Sequence, residues 1–168
     1  PDATYLSRLT ISLDELQTFV AKPPSPDNVV PISQVRDVHV DQVYIGNCSN
    51  GMLSDLRQAA SILKGRRVHP DVRLIVVPST RRIYEQATKE GVLQTIVEAG
   101  GAVSLPTCGA CFGGHMGILA EGETALATTN RNFRGRMGHP ESQVYLANAW
   151  VAAATAVRGK ITDPADLD

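Results

Sequence analysis

Cys48, Cys108 and Cys111 are the only cysteines of the chain, and each sits in a glycine-rich turn, not inside an apolar run. The local sequences are Ile45-Gly46-Asn47-Cys48-Ser49-Asn50-Gly51 and Pro106-Thr107-Cys108-Gly109-Ala110-Cys111-Phe112-Gly113-Gly114. A Cys-x-x-Cys pair plus one distant cysteine offers three thiolates. A cubane iron–sulfur cluster is normally held by four, so three protein thiolates would leave one iron open to water or substrate. Gly109, Gly113 and Gly114 loosen the backbone around the pair, and free amides suit an anionic sulfur cage. Other chemistries stay open on spacing alone. Cys108 and Cys111 could act as a redox dithiol, which gives Cys48 no role. Cys48, Cys108, Cys111 and His115 could form a Cys3His zinc set, although no spacing rule turns His115 inward. Taken singly, a cysteine is most often a small buried apolar residue.

The second dense feature is Thr128-Thr129-Asn130-Arg131-Asn132-Phe133-Arg134-Gly135-Arg136-Met137-Gly138. Guanidinium forks pair with planar oxyanions, and amides bind hydroxyls or sulfides, so this loop suits a carboxylate-bearing ligand. A solvated charged loop is the plainer alternative for any one of its arginines. Phosphate lacks its usual Gly-x-x-x-x-Gly-Lys-Ser/Thr cradle. Ser49, Asn50, Ser104 and Thr107 are candidates for supporting hydrogen bonds, while His39, His69 and His139 read as loop or surface residues.

Both features need a scaffold that brings distant turns together. From Asp41 onward short apolar strands alternate with helical stretches. Strands are expected at Gln42 to Ile45, Arg73 to Val77, Ala102 to Leu105 and Thr124 to Thr128. Helices are expected from a cap at Asn50 or Ser54 to about Lys64, over Arg81 to Lys89, over Val92 to Glu98 and over Ser142 to Arg158. In the last of these, alanines pack closely and Trp150 fills a groove. The alternation predicts an α/β fold: a three-layer αβα domain with a mostly parallel sheet. The cysteine turns and the arginine loop all follow strand ends, where open parallel sheets gather ligands. Residues 1–38 read as an N-terminal arm or interdomain segment and residues 39–168 as the α/β domain. In the arm, Leu9 to Leu13 suggests a short strand and Asp14 to Val20 a short strand or helical turn. Lys22-Pro23-Pro24-Ser25-Pro26 interrupts regular structure, and Pro1 does not read as a natural start.

Composition narrows the functional classes. With 43% hydrophobic and 20% charged residues, the 168 residues can bury a core of one domain. A net charge of -1 gives no electrostatic footprint for nucleic acid. No stretch approaches the roughly 18 apolar residues of a membrane span. Three cysteines cannot all pair within one chain, which favours a reducing, cytoplasmic setting. No Ser-His-Asp arrangement or acidic pair is legible.

The segments Ile45 to Gly51, Cys108-Gly109-Ala110-Cys111 and Asn130-Arg131-Asn132-Phe133-Arg134-Gly135-Arg136, in this order, resemble the aconitase superfamily. The nearest resemblance is to its isopropylmalate dehydratase large subunits and the related homoaconitases. It runs over nearly the whole chain, including the Ser25-Pro26-Asp27-Asn28-Val29 arm, and matches the family's third, cluster-bearing domain. The resemblance implies a [4Fe–4S] cluster held by Cys48, Cys108 and Cys111, with the fourth iron acting as a Lewis acid on the substrate hydroxyl and carboxylate. It implies that Arg131 and Arg136 are catalytic, substrate-facing residues and that Asn130 belongs to the cluster environment. Arg134 falls at a variable position.

By that likeness the expected activity is that of a hydro-lyase interconverting 2-isopropylmalate and 3-isopropylmalate by dehydration and rehydration, in leucine biosynthesis. Homoaconitase or dimethylmalate dehydratase chemistry is the alternative, as is a non-catalytic scaffold or interaction domain. Two preceding domains and a swivelling domain, often a separate small subunit, are the implied partners of a hydroxy-dicarboxylate site; the isolated chain is expected to be inactive. Two departures stand out. Many relatives carry Gly-Ser-Cys-Thr-Asn where this chain has Gly46-Asn47-Cys48-Ser49-Asn50, and many isopropylmalate enzymes have a cysteine where this chain has Ala125-Leu126-Ala127.

Overall fold

A computed structural model of the chain describes residues 3–167. Pro1, Asp2 and Asp168, the extremities of the two expected segments, lie outside the described residues. Seven strands form one sheet: β1 (Phe19–Ala21), β2 (Val29–Pro31), β3 (Gln42–Gly46), β4 (Arg73–Val77), β5 (Ala102–Val103), β6 (Thr124–Ala127) and β7 (Gln143–Leu146), in the order β2-β1-β7-β6-β3-β4-β5. The five strands from β7 to β5 are parallel, and the β1–β2 hairpin adds to β7 antiparallel. Every residue of β3 is buried, as a central strand covered on both faces requires.

Strand alternation splits the interior into two cores. Val43, Ile45, Leu74, Val76, Leu126 and Tyr145 face the helices; Tyr44, Ile75, Val77, Ala125, Ala127 and Val144 face the other side. The helices are α1 (Leu53–Leu63), α2 (Arg81–Lys89), α3 (Val92–Glu98) and α4 (Ala149–Arg158). In α1, Leu56, Ala59, Ala60 and Leu63 are buried, a stripe with spacing of three and four residues. In α4 the small side chains Ala152, Ala153, Ala154 and Ala156 are all fully buried; few large groups stand between this helix and its neighbours.

The expected three layers are present, but the layer opposite the helices contains no α-helix among the described residues. The Gly109–Phe112 3-10 turn and the loops on either side of β6 form it instead. Connection handedness explains this. Right-handed crossovers from β3 to β4 to β5 put α1, α2 and α3 on one face. The chain then returns past β3 to β6 and β7, so connections of the same hand must cover the opposite face. Between β3 and β6 the sheet changes winding direction. That is the topological switch point, whose carboxyl edge is the natural ligand crevice.

Several local expectations need correction. The helix expected from Ser142 begins only at Ala149; before it, Gln143–Leu146 is β7. Its β-branched and aromatic side chains at 144 and 145 lie buried in the sheet, and Asn148 caps the helix by accepting from the Val151 N–H at 2.9 Å. The alanine-rich composition had masked this boundary. Neither Asn50 nor Ser54 caps α1: Asp55 reaches back to the Met52 N–H at 3.0 Å. Leu9 to Leu13 contains no strand; a 3-10 turn at Leu13–Glu15 precedes β1. Trp150 is 45% exposed and lines an open hollow with Ile62, Val151 and Pro164.

Candidate functional site at the switch point

Gly46 ends β3 with φ +102°, and a Cβ there would collide with the Val77 carbonyl. This turn sends the chain over the sheet edge, where Cys48 is exposed and Asn47 is only 1% exposed. The Asn47 side chain organises the turn. Its Oδ1 accepts from the Ser49 N–H at 2.7 Å and the Asn50 N–H at 2.6 Å. Asn50 Nδ2 in turn donates to the Thr128 carbonyl, and Thr128 Oγ1 accepts from the Gly46 N–H at 2.8 Å. The ends of β3 and β6 are thus joined by side chains just beyond the last ladder bond.

The Cys108–Cys111 pair lies in a 3-10 turn laid over the same edge. The Cys111 N–H donates to the Cys108 carbonyl at 3.1 Å, and the Tyr44 hydroxyl donates to that carbonyl at 3.2 Å. Gly109 adopts φ +52° directly above Tyr44, where a Cβ would overlap the phenol oxygen. Only glycine permits that approach. Burial, then Cys111, then Cys108 push the Tyr44 pKa above the ordinary tyrosine value, so the phenol remains a donor. Two residues before Tyr44 in β3, Gln42 is fully buried and donates to the Gly117 carbonyl at 2.8 Å. The loop carrying the pair is tied to the arginine loop through the Leu119–Gly138 bridge.

Cys111 is the buried sulfur of the three and receives two donors. Asn47 Nδ2 lies 3.8 Å from its Sγ, and so does Arg136 Nη2. The Arg136 guanidinium stacks over Phe133, 5.4 Å from the ring centroid, and its Nε is buried without a hydrogen-bond partner. Ser49 Oγ lies 3.9 Å from Cys48 Sγ. All three cysteines are free thiols.

The structure therefore brings Cys111, Arg136 and the Cys48 turn together. Cys108 joins them through its carbonyl. Asn130 and Arg131 follow β6 at the same edge, both exposed. Arg134 is also exposed and lines a separate hollow with Pro23, Pro24 and Pro140. His115 is exposed at φ +61°. Among the described residues no three His, Cys, Asp or Glu side chains converge on a single metal ion, so the Cys3His set weighed for zinc is not assembled there. Thiolates that bind separate irons of a cluster need not converge on one point. The donor set fits such a group: free thiols from two loops, an amide and a guanidinium aimed at sulfur, and an unused guanidinium N–H.

Sequence reasoning quoted Asn47, Thr128 and Asn132 within the motif segments without giving them these individual contacts, and it missed Tyr44. Asn132 Nδ2 donates to the Lys22 carbonyl at 3.0 Å and the Val144 carbonyl at 3.1 Å, which fastens the arginine loop to the β1–β2 hairpin and to β7. Asn47 and Asn132 were polar residues next to the motif residues; only their burial, a tertiary property, separates them from their neighbours.

Comparison with known proteins agrees with this arrangement. The profile of the aconitase family (aconitate hydratase) matches residues 33–159. The chain is 60% identical over 99% of its length to the 3-isopropylmalate dehydratase large subunit 2 of Rubrobacter xylanophilus, covering 39% of that protein. It is 60% identical to the large subunit from Nautilia profundicola over 99% of its length, covering 40% of that protein. With large subunit 1 from Methanopyrus kandleri it shares 56% identity over 98% of its length, covering 39% of that protein. The chain thus spans about 40% of the length of the curated relatives it matches. By the profile match and the order of its motifs along one sheet edge, the chain belongs to the aconitase family.

Proposed function

We propose that this chain is the cluster-bearing part of a hydro-lyase that interconverts 2-isopropylmalate and 3-isopropylmalate in leucine biosynthesis, in the cytoplasm. The observation that carries the reading is the paired approach of Asn47 and Arg136 to the Cys111 sulfur at the switch point. Cys48, Cys108 and Cys111 are assigned to a [4Fe–4S] cluster. When bound, that group supplies a Lewis-acidic iron for departure and return of a hydroxyl.

The chain's own residues do the positioning. Arg131, exposed and unpaired among the described residues, and Arg136 bind substrate carboxylates through charge-assisted hydrogen bonds. Asn130 lines the cluster surroundings from the same edge. The remaining domains of a longer large subunit and a small subunit complete the site; the names of the relatives, each a large subunit, support that partner. They also favour isopropylmalate over homocitrate-type substrates.

Anaerobic reconstitution tests the reading. The chain should take up about four irons with matching sulfide, and Cys48→Ser, Cys108→Ser and Cys111→Ser should each lower that uptake while the far-ultraviolet circular dichroism stays unchanged. Turnover of isopropylmalate should appear only in the complete assembly, and Arg131→Lys there should cut kcat/KM by roughly 100-fold. A folded chain that takes up no iron under these conditions, yet still binds its partner subunit, would show a scaffold and end the proposal.

A further inference from the structure

Asn47 is one side chain with two jobs in two cysteine loops. It is buried, its oxygen holds the Ser49 and Asn50 amides that shape the Cys48 turn, and its nitrogen reaches the sulfur of Cys111. These contacts use both ends of the carboxamide, and the bond to Cys111 spans 64 residues of sequence. We infer that Asn47 is a positioning residue that fixes the Cys48 turn relative to Cys111 and supplies an N–H to the Cys111 sulfur, thereby setting both the retention and the reduction potential of a bound cluster.

The geometry explains why an amide serves here. A serine hydroxyl has one donor and two acceptor sites, but they sit on a single atom close to the backbone, whereas the carboxamide holds the Cys48 turn with its oxygen and reaches the second loop with its nitrogen. Hydrogen bonds to sulfur raise the potential of an iron–sulfur centre, and residues supporting the ligands orient them. Arg136 approaches the same sulfur from the arginine loop, so the amide and the guanidinium hold Cys111 from two separate segments. The cluster half of this inference rests on the proposed function; the loop-coupling half does not.

Two variants of the full chain separate the two jobs. Asn47→Asp keeps an acceptor for the Ser49 and Asn50 amides but cannot donate to Cys111. Asn47→Ala removes both contacts. In the cluster-free chain, hydrogen exchange should show the amides of Ser49 and Asn50 still protected in N47D and released in N47A. The Cys111 and Gly113 amides of the 3-10 turn should lose protection in both variants. After anaerobic reconstitution, both variants should lose iron roughly tenfold faster than the parent chain, and both should show a lower midpoint potential, with a changed electron paramagnetic resonance signal. Unchanged exchange at Cys111 and Gly113 in both variants would overturn the coupling. A potential that falls in N47D but stays at the parent value in N47A would trace the effect to added charge and overturn the donor role. If the parent chain takes up no iron, the proposed function fails, and the exchange experiment still decides whether Asn47 couples the loops.

Discussion

The two faces of the sheet solve the same problem, covering apolar strands, with different materials. On one face four helices lay down Leu56, Leu63, Leu93, Ile96 and a row of alanines over Val43, Ile45, Leu74 and Val76. On the other, irregular loops cover Tyr44, Ile75, Val77 and Ala127 with Ala110, Cys111, Leu119 and Met137. Helices satisfy their own backbone, so that face tolerates generic packing. Loops do not, and each polar group there needs a named partner. The site face therefore depends on single side-chain bonds and close glycine approaches, while the helix face depends on volume. Generic packing and the candidate site thus lie on opposite sides of one strand.

Substitutions should expose that contrast, starting with the largest effect. Gly46→Ala places a Cβ against the Val77 carbonyl at a φ hostile to side chains; about 2–5 kcal/mol of stability should be lost, read as a drop in the denaturant midpoint. Leu56→Ala, fully buried on the helix face, should cost about 2–4 kcal/mol while leaving exchange protection in the Cys48 and Cys108 turns unchanged relative to the rest of the chain. If those turns were selectively released, the two faces would not be independent.

Those two residues also show what sequence could and could not reveal. Arg73–Val77, Arg81–Lys89 and Val92–Glu98 were expected at the bounds observed, because their periodicity and flanking breakers are local signals. The Leu56 stripe was legible for the same reason. β7 was hidden, since Tyr145, Leu146 and Ala147 run into an alanine-rich helix and only the Asn148 cap marks the change. The β1–β2 pairing was hidden because it depends on a partner edge far along the chain. At the candidate site, the strand-end rule anticipated that the turns carrying the cysteines follow β3 and β5. The Asn47 and Tyr44 contacts span 64 residues each, and no local pattern encodes a bond of that separation.

Smaller changes refine the comparison. Tyr44→Phe deletes the hydroxyl bond to the Cys108 carbonyl and should cost about 1 kcal/mol at neutral pH. Its pH signature is separate. Because the folded phenol titrates above the ordinary value of about 10, its stabilising contribution is complete below that pH and declines as pH rises through the tyrosine range and beyond. The parent chain should lose stability there faster than Y44F, as measured by urea midpoints at stepped alkaline pH. Least of all, Arg57 pairs with Glu90 at 2.7 Å on the helix surface, where the Arg57 hydrogen bond leads in lowering the Glu90 pKa to about 2. That contribution is present above the ordinary glutamate value and fades as pH falls towards about 2. Arg57→Ala should flatten the acid limb of the stability profile slightly and leave iron uptake untouched.

Strand β3 carries a safeguard against its own misassembly. A one-residue slip in pairing would exchange the faces of all its side chains. Tyr44 would then thrust its hydroxyl, and Gln42 its carboxamide, into the aliphatic interior beneath α1 and α4, while Ile45 would take the phenol's place beneath Gly109. Every such slipped chain buries polar groups without partners. Chains that complete folding are consequently sorted for correct placement of the turns that follow β3 and β5.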